Sequence, residues 1–184
     1  MAKEKMLVVD DQEPAREMMR EFLEGDLGYV CQTAENGLQA LNIVERNNFA
    51  LVITDVRMPE MDGVELLKRV KKVKPDQCVI IMTAFGDNYT FVDMVEAGAS
   101  DFILKPFDLA ELRAKIARVL RERALLTEQR VLIKGLRAKI EELQRSREEL
   151  QSVKKDLERQ TEDLLKLKKE NEELRQSISR PQQK

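Results

Sequence analysis

Five short apolar runs alternate with amphipathic segments over the first 120 residues of the chain. The apolar runs cover residues 7–9, 29–33, 50–54, 79–82 and 102–104. After each run, apolar residues recur at helical spacing, and Asp108 is the predicted cap of the last of five helices. Strands that alternate with helices form a parallel sheet with helices on both faces, joined by right-handed connections. The sequence therefore predicts an α/β fold with a doubly wound, five-stranded parallel sheet.

The last third of the chain has a different composition. All eight aromatic residues lie at or before Phe107, no glycine follows Gly135, and no proline lies between residues 107 and 180. Such a segment, rich in Glu, Lys, Arg, Leu and Gln, is typical of one long polar helix. We predict three segments: a globular domain over 1–121, a coiled-coil helix over 122–178 that continues the fifth helix of that domain, and a disordered tail over 179–184.

Apolar residues at intervals of seven predict that the long helix forms a coiled coil. The heptad register starts inside the fifth helix of the globular domain. There we expect Leu112 and Val119, at a positions, to share their contacts with a partner helix, while Ile116 faces the sheet. Ile and Val at a with Leu at d favour a parallel dimer. The predicted coiled-coil core comprises Leu126, Ile133, Leu136, Ile140, Leu143, Leu150, Leu157 and Leu164.

Polar residues interrupt this core. Later a positions hold Arg147, Lys154, Thr161 and Lys168, early d positions hold Lys115, Glu122 and Gln129, and Asn171 falls at a later d position. Polar core residues weaken a coiled coil but fix its register and strand number, and they also allow alternative pairings. A single charged helix that lies on another protein is the alternative interpretation.

The charge of the chain divides by region. Residues 1–120 contain 15 Lys and Arg against 21 Asp and Glu, a balance of −6, whereas the remainder contains 17 against 13, a balance of +4. In the basic part the two signs are interspersed, and no basic run is interleaved with aromatic residues. This pattern favours a solvated helix face, so no direct contact with nucleic acid is predicted.

Several features indicate a cytoplasmic protein. The N-terminus shows no signal peptide, and no apolar stretch approaches the roughly 20 residues that a membrane helix needs, so no membrane contact is predicted. Cys31 and Cys78 lie in strand-like stretches without a CxxC pair, as expected of buried free thiols in a reducing compartment. The 184 residues contain no histidine, which excludes a histidine phosphodonor, a histidine-based triad and a His-ligated zinc site within them.

Polar residues end four of the five predicted strands. They are Asp10 and Asp11 after the first strand, Asp55 after the third, Thr83 after the fourth and Lys105 after the fifth. Ligands of such sheets bind outside the carboxyl ends of the strands. Three crowded carboxylates need a cation, and hard oxygen ligands suit Mg²⁺. A carboxylate can also accept a phosphoryl group, for which Lys105 and Thr83 would provide a positive charge and a hydroxyl.

Taken together, the motifs at these strand ends resemble those of the receiver domain of two-component response regulators. The motifs are Val-Val-Asp10-Asp11, Asp55-Val-Arg-Met-Pro59, Asp62-Gly63, Met82-Thr83-Ala84 and Lys105-Pro106-Phe107. The resemblance covers residues 4–121. The motifs are highly specific as a set, although each one is weak alone.

The resemblance implies the flavodoxin-like strand order 2-1-3-4-5 and a role for each strand-end residue. Asp55 would be the phospho-acceptor, and Mg²⁺ would be held by Asp10, Asp11, Asp55 and the backbone carbonyl of Arg57. The resemblance assigns phosphoryl binding and switching to Thr83, Ala84, Lys105 and Phe102, and a cis peptide bond to Lys105-Pro106. Phe102 stands where the family has a switch aromatic, here without the hydroxyl of a tyrosine.

The implied function is phosphorelay signalling. A sensor histidine kinase would donate the phosphoryl group, and the chain would act as a phospho-acceptor rather than an enzyme, relaying a conformational change to a coiled-coil homodimer. Three alternatives remain: a scaffold whose receiver is not phosphorylated, the N-terminal part of a larger regulator, and an aspartate-nucleophile phosphatase. An aspartate-nucleophile phosphatase would require a second acid two residues after its nucleophile, and this chain has Arg57 at that position.

Each strand-end residue also has a simpler interpretation. Asp10 or Asp11 could be a helix N-cap, and Asp55 could begin a turn that leads to Pro59. Thr83 could cap a loop, and Lys105 could be an ordinary surface lysine. Coincidence at four strand ends is the less favoured explanation.

Overall fold

The computed structural model describes residues 3–84 and 89–178. The strands are β1 (Lys5–Val9), β2 (Val30–Ala34), β3 (Leu51–Asp55), β4 (Val79–Ala84) and β5 (Asp101–Lys105). The helices are α1 (Glu13–Glu21), which continues as a π-helical turn (Phe22–Asp26), α2 (Gly37–Arg46), α3 (Gly63–Val73), α4 (Phe91–Glu96) and α5 (Leu109–Ile178). The predicted disordered tail over 179–184 lies outside the described residues.

The five strands form one parallel sheet in the order β2-β1-β3-β4-β5. This confirms the predicted fold class and strand order. The chain adds β2 on one side of β1 and then crosses to add β3 on the other, so the order reverses between β1 and β3. Loops that leave these two strands diverge to opposite faces of the sheet, which opens a crevice at the carboxyl ends of β1 and β3.

Helices cover both faces of the sheet, and each face has its own apolar core. One core packs α2, α3 and α4 residues such as Val44 and Leu67 against the sheet. The other packs α1 and α5 residues such as Met19 and Ile116 against the opposite face. Because side chains alternate between faces along a strand, a strand covered on both sides is apolar throughout. This explains the continuous apolar runs in the sequence.

The start of α5 corrects one prediction. Leu112 and Val119, expected to share contacts with a partner helix, are only 0% and 2% exposed and lie in the same core as Ile116. Residues spaced four and three apart occupy one helix face, and this face covers the sheet. The expectation for Leu112 and Val119 was therefore wrong, because their heptad spacing matches the stripe that α5 needs to pack on its own domain.

The helix α5 comprises residues of both parts of the chain, from Leu109 to Ile178. The chain divides into two compact units with the boundary between Thr127 and Glu128, inside this helix. In the second unit every described residue of the predicted coiled-coil core is exposed. No helix among the described residues is long and apolar enough to span a membrane. Cys31 and Cys78 are free thiols, half-buried rather than fully buried.

Aspartates cap the starts of α3 and α5. Asp62 Oδ1 accepts a hydrogen bond from the Glu65 amide at the start of α3, at 2.7 Å. Asp108 Oδ1 accepts one from the Glu111 amide at the start of α5, at 2.6 Å, which confirms the predicted cap. The N-cap position of α1 is held by Gln12 rather than by Asp10 or Asp11. The simpler interpretation of those two aspartates as N-caps is therefore wrong.

Gly63→Ala should destabilise the fold, because a methyl group at this position would overlap the backbone carbonyl oxygen of Asp55. We expect the free energy of unfolding, measured by urea denaturation, to fall by about 2–3 kcal/mol, as for an overpacked core. Gly25→Ala is the control, because a methyl group there meets no atom within 4 Å. A loss at Gly63 no larger than the change at Gly25 would contradict the close approach of α3 to β3.

Candidate functional site

The crevice between β1 and β3 brings together three carboxylates. Val9 pairs with Thr54 in the sheet, so Asp10 and Asp55 lie side by side just beyond that pair. Ligand oxygens of Asp10, Asp11 and Asp55 all lie within 4.8 Å of one another. The structure thus joins carboxylates that are separated by more than forty residues in the sequence.

Asp10 is held rigidly at the base of the crevice and is only 1% exposed. Its Oδ1 accepts a hydrogen bond from the Gln12 amide at 2.9 Å. Its backbone carbonyl accepts one from the Arg16 guanidinium at 2.7 Å. Asp11, by contrast, is exposed at the mouth. The pair therefore offers one fixed carboxylate and one that solvent reaches.

Asp55 ends β3 and is 8% exposed. The Val56 amide donates a hydrogen bond to its Oδ1 at 2.9 Å, and the Lys105 ammonium lies 3.0 Å from the same oxygen. Burial raises the pKa of the Asp55 carboxyl above its ordinary value, and the nearby Asp10 raises it further, whereas Lys105 and the Val56 amide act in the opposite direction. A cation near Asp55 would offset the cost of holding this carboxylate charged.

Lys105 bridges two of the carboxylates from the end of β5. Its Nζ lies 3.0 Å from Asp55 Oδ1 and 3.3 Å from Asp10 Oδ2. Burial by itself would lower the pKa of this ammonium, but Asp55 and Asp10 outweigh burial and raise the pKa above its ordinary value. Lys105 therefore remains a fixed positive charge. One ammonium facing three carboxylates still leaves an excess of negative charge.

The donor set fits a small divalent cation. Three carboxylates offer hard oxygen ligands within 4.8 Å of one another, and the exposure of Asp11 leaves a path from solvent. Mg²⁺ prefers such oxygens, binds through few protein ligands and keeps several of its waters. Asp10, Asp11 and Asp55 are therefore the residues that would hold Mg²⁺.

The remaining predicted residues lie around this cluster. In the sheet Met82 pairs with Asp55, so Thr83 lies one residue beyond Asp55 on β4 and is buried. Ala84 pairs with Lys105. Arg57 lies two residues after Asp55 with an exposed side chain. The Lys105-Pro106 peptide bond is cis.

Phe102 lies in β5 and stacks on Phe91 of α4. The ring centroids are 4.4 Å apart and the rings are nearly parallel, with 13° between their planes. The Lys115 ammonium of α5 lies 5.6 Å from the Phe102 ring centroid. The position of the expected switch aromatic thus joins three elements: α4, β5 and α5.

Two contacts near the cluster were not evident from the sequence. Gly63 approaches the Asp55 carbonyl so closely that no side chain fits between them. The Tyr89 hydroxyl donates a hydrogen bond to Asp62 Oδ2 at 2.8 Å, tying the segment before α4 to the start of α3. The Asp62-Gly63 pair indicates a turn and a helix start in the sequence, but the contacts of these two residues with Tyr89 and Asp55 are evident only in the structure.

Comparison with known proteins identifies the domain. The family model described as "Response regulator receiver domain" matches residues 6–117. The chain belongs to the response regulator receiver family. A solved receiver domain from Clostridium thermocellum is similar to this receiver, with a TM-score of 0.62 and 30% identity, and covers 67% of this chain and 98% of its own.

Curated relatives of the receiver differ in length. Sporulation initiation phosphotransferase F of Bacillus subtilis is 42% identical over 120 residues, which are 65% of this chain and 96% of the relative. Transcriptional regulatory protein ZraR of Klebsiella oxytoca is 40% identical over 120 residues, but these are only 27% of that protein. The similarity therefore lies in the receiver domain.

Asp11→Asn should stabilise the metal-free receiver and weaken its response to Mg²⁺. The change removes one of three like charges, worth on the order of 0.5 kcal/mol at an exposed position, and also removes one metal ligand. Thermal unfolding in a chelator should show a small rise in Tm, and added Mg²⁺ should raise Tm less than it does in the unsubstituted protein.

Glu45→Gln is the control for this experiment. Glu45 is an exposed carboxylate near the carboxyl end of α2, away from the crevice. Its replacement should leave the Mg²⁺ response unchanged. An undiminished Mg²⁺ response in the Asp11 variant would show that this carboxylate is not part of the metal site.

Proposed function

We propose that this protein is a cytoplasmic response regulator that accepts a phosphoryl group on Asp55 in the presence of Mg²⁺. The observation that carries the proposal is the convergence of Asp10, Asp11 and Asp55 within 4.8 Å, with Lys105 3.0 Å from Asp55. The membership of the receiver family and the similarity to a phosphotransferase of Bacillus subtilis support it. The donor in this proposal is the phospho-histidine of a sensor kinase.

In the proposed reaction, a carboxylate oxygen of Asp55 forms a bond to phosphorus as the bond between phosphorus and the donor imidazole nitrogen breaks. The imidazole nitrogen keeps the electron pair of the broken bond. The Val56 amide and Lys105 fix the orientation of the carboxylate before the reaction, and such positioning is the main contribution a protein makes to phosphoryl transfer. Lys105 then pairs with the transferred group, which carries negative charge.

Mg²⁺, held by the three aspartates and in this proposal by the Arg57 carbonyl, would neutralise charge on the phosphoryl oxygens. Without that neutralisation the carboxylates would repel an incoming anion. Asp10 contributes as a fixed ligand because two hydrogen bonds hold its backbone and side chain in place. The exposed Asp11 contributes from the side that faces solvent.

The response to phosphorylation would run through β4 and β5. We assign phosphoryl sensing to Thr83 and Ala84, which lie one and two residues beyond the level of Asp55 on β4. A shift at the end of β4 reaches β5 directly, because Thr83 pairs with Leu104 and Ala84 with Lys105. Phe102, stacked between α4 and the Lys115 ammonium, would then repack. Lacking a hydroxyl, Phe102 acts in this scheme through packing alone.

The distal part of α5 would form a parallel dimer with a second copy. Apolar side chains of the predicted core are exposed in a single chain, and those of Leu136, Leu143 and Leu157 are more than half exposed. A column of exposed leucines at intervals of seven is stabilised when it packs against the same column of another helix. The receiver and the dimer would thus be parts of one signalling switch.

The alternatives differ in what each would require. A phosphatase needs an acid to protonate the leaving group, and the corresponding position holds Arg57. An unphosphorylated scaffold does not need the ion pairs that orient Asp55. A role as the front part of a longer regulator is compatible with the proposal, since longer relatives carry a similar receiver.

Asp55→Asn should abolish phosphorylation. Incubation with a small acyl phosphate and Mg²⁺ should add the mass of one phosphoryl group to the intact protein, and mass spectrometry should find no such addition on the variant, because an amide is not a nucleophile here. Asp62→Asn is the matched control, since Asn can still cap α3 and Asp62 is outside the carboxylate cluster. Phosphorylation of the Asp55 variant to the same extent as the control would refute the assignment of the acceptor.

Leu150→Lys should weaken self-association through α5. The change places a charge in the core of the dimer and removes a buried leucine, which should raise the dimer Kd by roughly ten- to a hundred-fold. Sedimentation equilibrium of the full chain measures this Kd. Val131→Lys is the control, because Val131 is equally exposed in a single chain but falls at an outer f position. A full chain that is monomeric at micromolar concentration would contradict the dimer itself.

A further inference from the structure

A column of leucines runs along the distal part of α5, and its apolar neighbours change side along the helix. The column comprises Leu136, Leu143, Leu150, Leu157 and Leu164. In the first half, Ile133 and Ile140 lie three residues before a leucine of the column. In the second half, Val153 and Leu167 lie three residues after a leucine of the column. All of these side chains are exposed in the single chain.

A single uninterrupted register does not account for the second half. If Leu150 is counted as d throughout, the neighbouring a positions are Arg147, Lys154, Thr161 and Lys168, so three charged residues would enter the core. Val153 and Leu167 would stay outside it, although they are 64% and 61% exposed in the single chain. Burying two ammonium groups and a guanidinium group is unfavourable, and so is leaving apolar side chains in water.

Counting Leu150 as an a position removes both conflicts. Val153, Gln160 and Leu167 then occupy d, and Leu150, Leu157 and Leu164 occupy a. Lys154 and Lys168 move to e positions at the edge of the core, where their ammonium groups remain in water. Asn171 becomes the one polar a residue of this half, and a polar residue at a single a position specifies register and strand number.

The charges beside this second core are complementary between two parallel copies. The g positions hold Glu149, Asp156, Asp163 and Glu170, and the e positions hold Lys154, Thr161, Lys168 and Arg175. In a parallel dimer each g residue faces the e residue five places later on the other helix. The facing pairs are Glu149 with Lys154, Asp156 with Thr161, Asp163 with Lys168, and Glu170 with Arg175.

Three of those four pairs are of opposite sign and none is of like sign. In an antiparallel pair, g positions face g positions, so acidic residues would meet acidic residues. In the uninterrupted register the g positions of this half are Ser146, Val153, Gln160 and Leu167, which offer no charge to pair. The charge pattern thus selects both the shifted register and the parallel orientation.

We propose that α5 binds a second copy of this chain in two successive registers, one over 126–143 and another over 150–171, with the change near Arg147. The proposal rests on the parallel dimer of the proposed function and specifies how its surface is built. The change amounts to three extra residues in the heptad repeat. Such an insertion overwinds a coiled coil locally. The two helices would therefore be overwound around Arg147, where the two registers meet.

Disulfide cross-linking of single-cysteine variants tests the register residue by residue. The full chain is prepared with Cys31→Ser and Cys78→Ser and with one new cysteine at a time, then oxidised with glutathione disulfide. Only core positions of a parallel dimer bring the two copies of a cysteine to the Cα separation of about 5.5–6 Å that a disulfide needs. The fraction of covalent dimer is read on a non-reducing gel.

Three comparisons give the expected result. Val153→Cys should form at least about five-fold more covalent dimer than Lys154→Cys, because only the former lies in the core at a separation suited to a disulfide. Leu167→Cys should likewise exceed Lys168→Cys. In the first half the core residue follows the lysine instead of preceding it. Ile140→Cys should therefore form more covalent dimer than Lys139→Cys.

Leu157→Cys separates failure of this inference from failure of the dimer. Leu157 lies in the core of either register, so it should cross-link whenever a parallel, aligned dimer forms. If Leu157→Cys cross-links but Lys154→Cys forms more covalent dimer than Val153→Cys, a single uninterrupted register is correct and the inference is overturned. If Lys139→Cys forms more covalent dimer than Ile140→Cys, the shifted register extends through both halves and the change near Arg147 is refuted. If Leu157 does not cross-link, the parallel dimer of the proposed function fails, and the inference with it.

Discussion

The ion pairs between Lys105 and the two buried aspartates are the interaction on which the geometry of the carboxylate site depends. Asp55 lies at the end of an inner strand, where burial disfavours its charged form. Lys105 lies within 3.3 Å of both Asp10 and Asp55 and holds their carboxylates in place from the end of another strand. The pairing is incomplete because Asp11 adds a third carboxylate. The three carboxylates therefore keep an excess of negative charge that a divalent cation would offset.

The sheet topology makes this arrangement possible. The strand order reverses between β1 and β3, so the loops after them leave the crevice open. The same sheet connects the site to its surroundings, since β4 and β5 are paired up to Ala84 and Lys105. A change at Asp55 therefore has a short route through backbone hydrogen bonds to Phe102 and the start of α5.

Much of this could be predicted from the sequence because strand ends and helix caps are local signals. The apolar runs located all five strands, and the polar residues after them located Asp10, Asp55 and Lys105 at one edge of the sheet. The heptad pattern was less informative at Leu112 and Val119, because a helix that packs on a sheet and a helix that packs on a partner show the same spacing. The contact of Gly63 with the Asp55 carbonyl and the stacking of Phe91 on Phe102 depend on how separate elements meet, which no local pattern contains.

The most direct test of this account is anomalous diffraction from crystals of the full chain grown with Mn²⁺, which takes the same oxygen ligands as Mg²⁺. We expect an anomalous peak at the carboxyl ends of β1 and β3, with oxygens of Asp10, Asp11 and Asp55 around it and the Lys105 ammonium beside Asp55. A saturating concentration of Mn²⁺ that gives no peak between these carboxylates would contradict it.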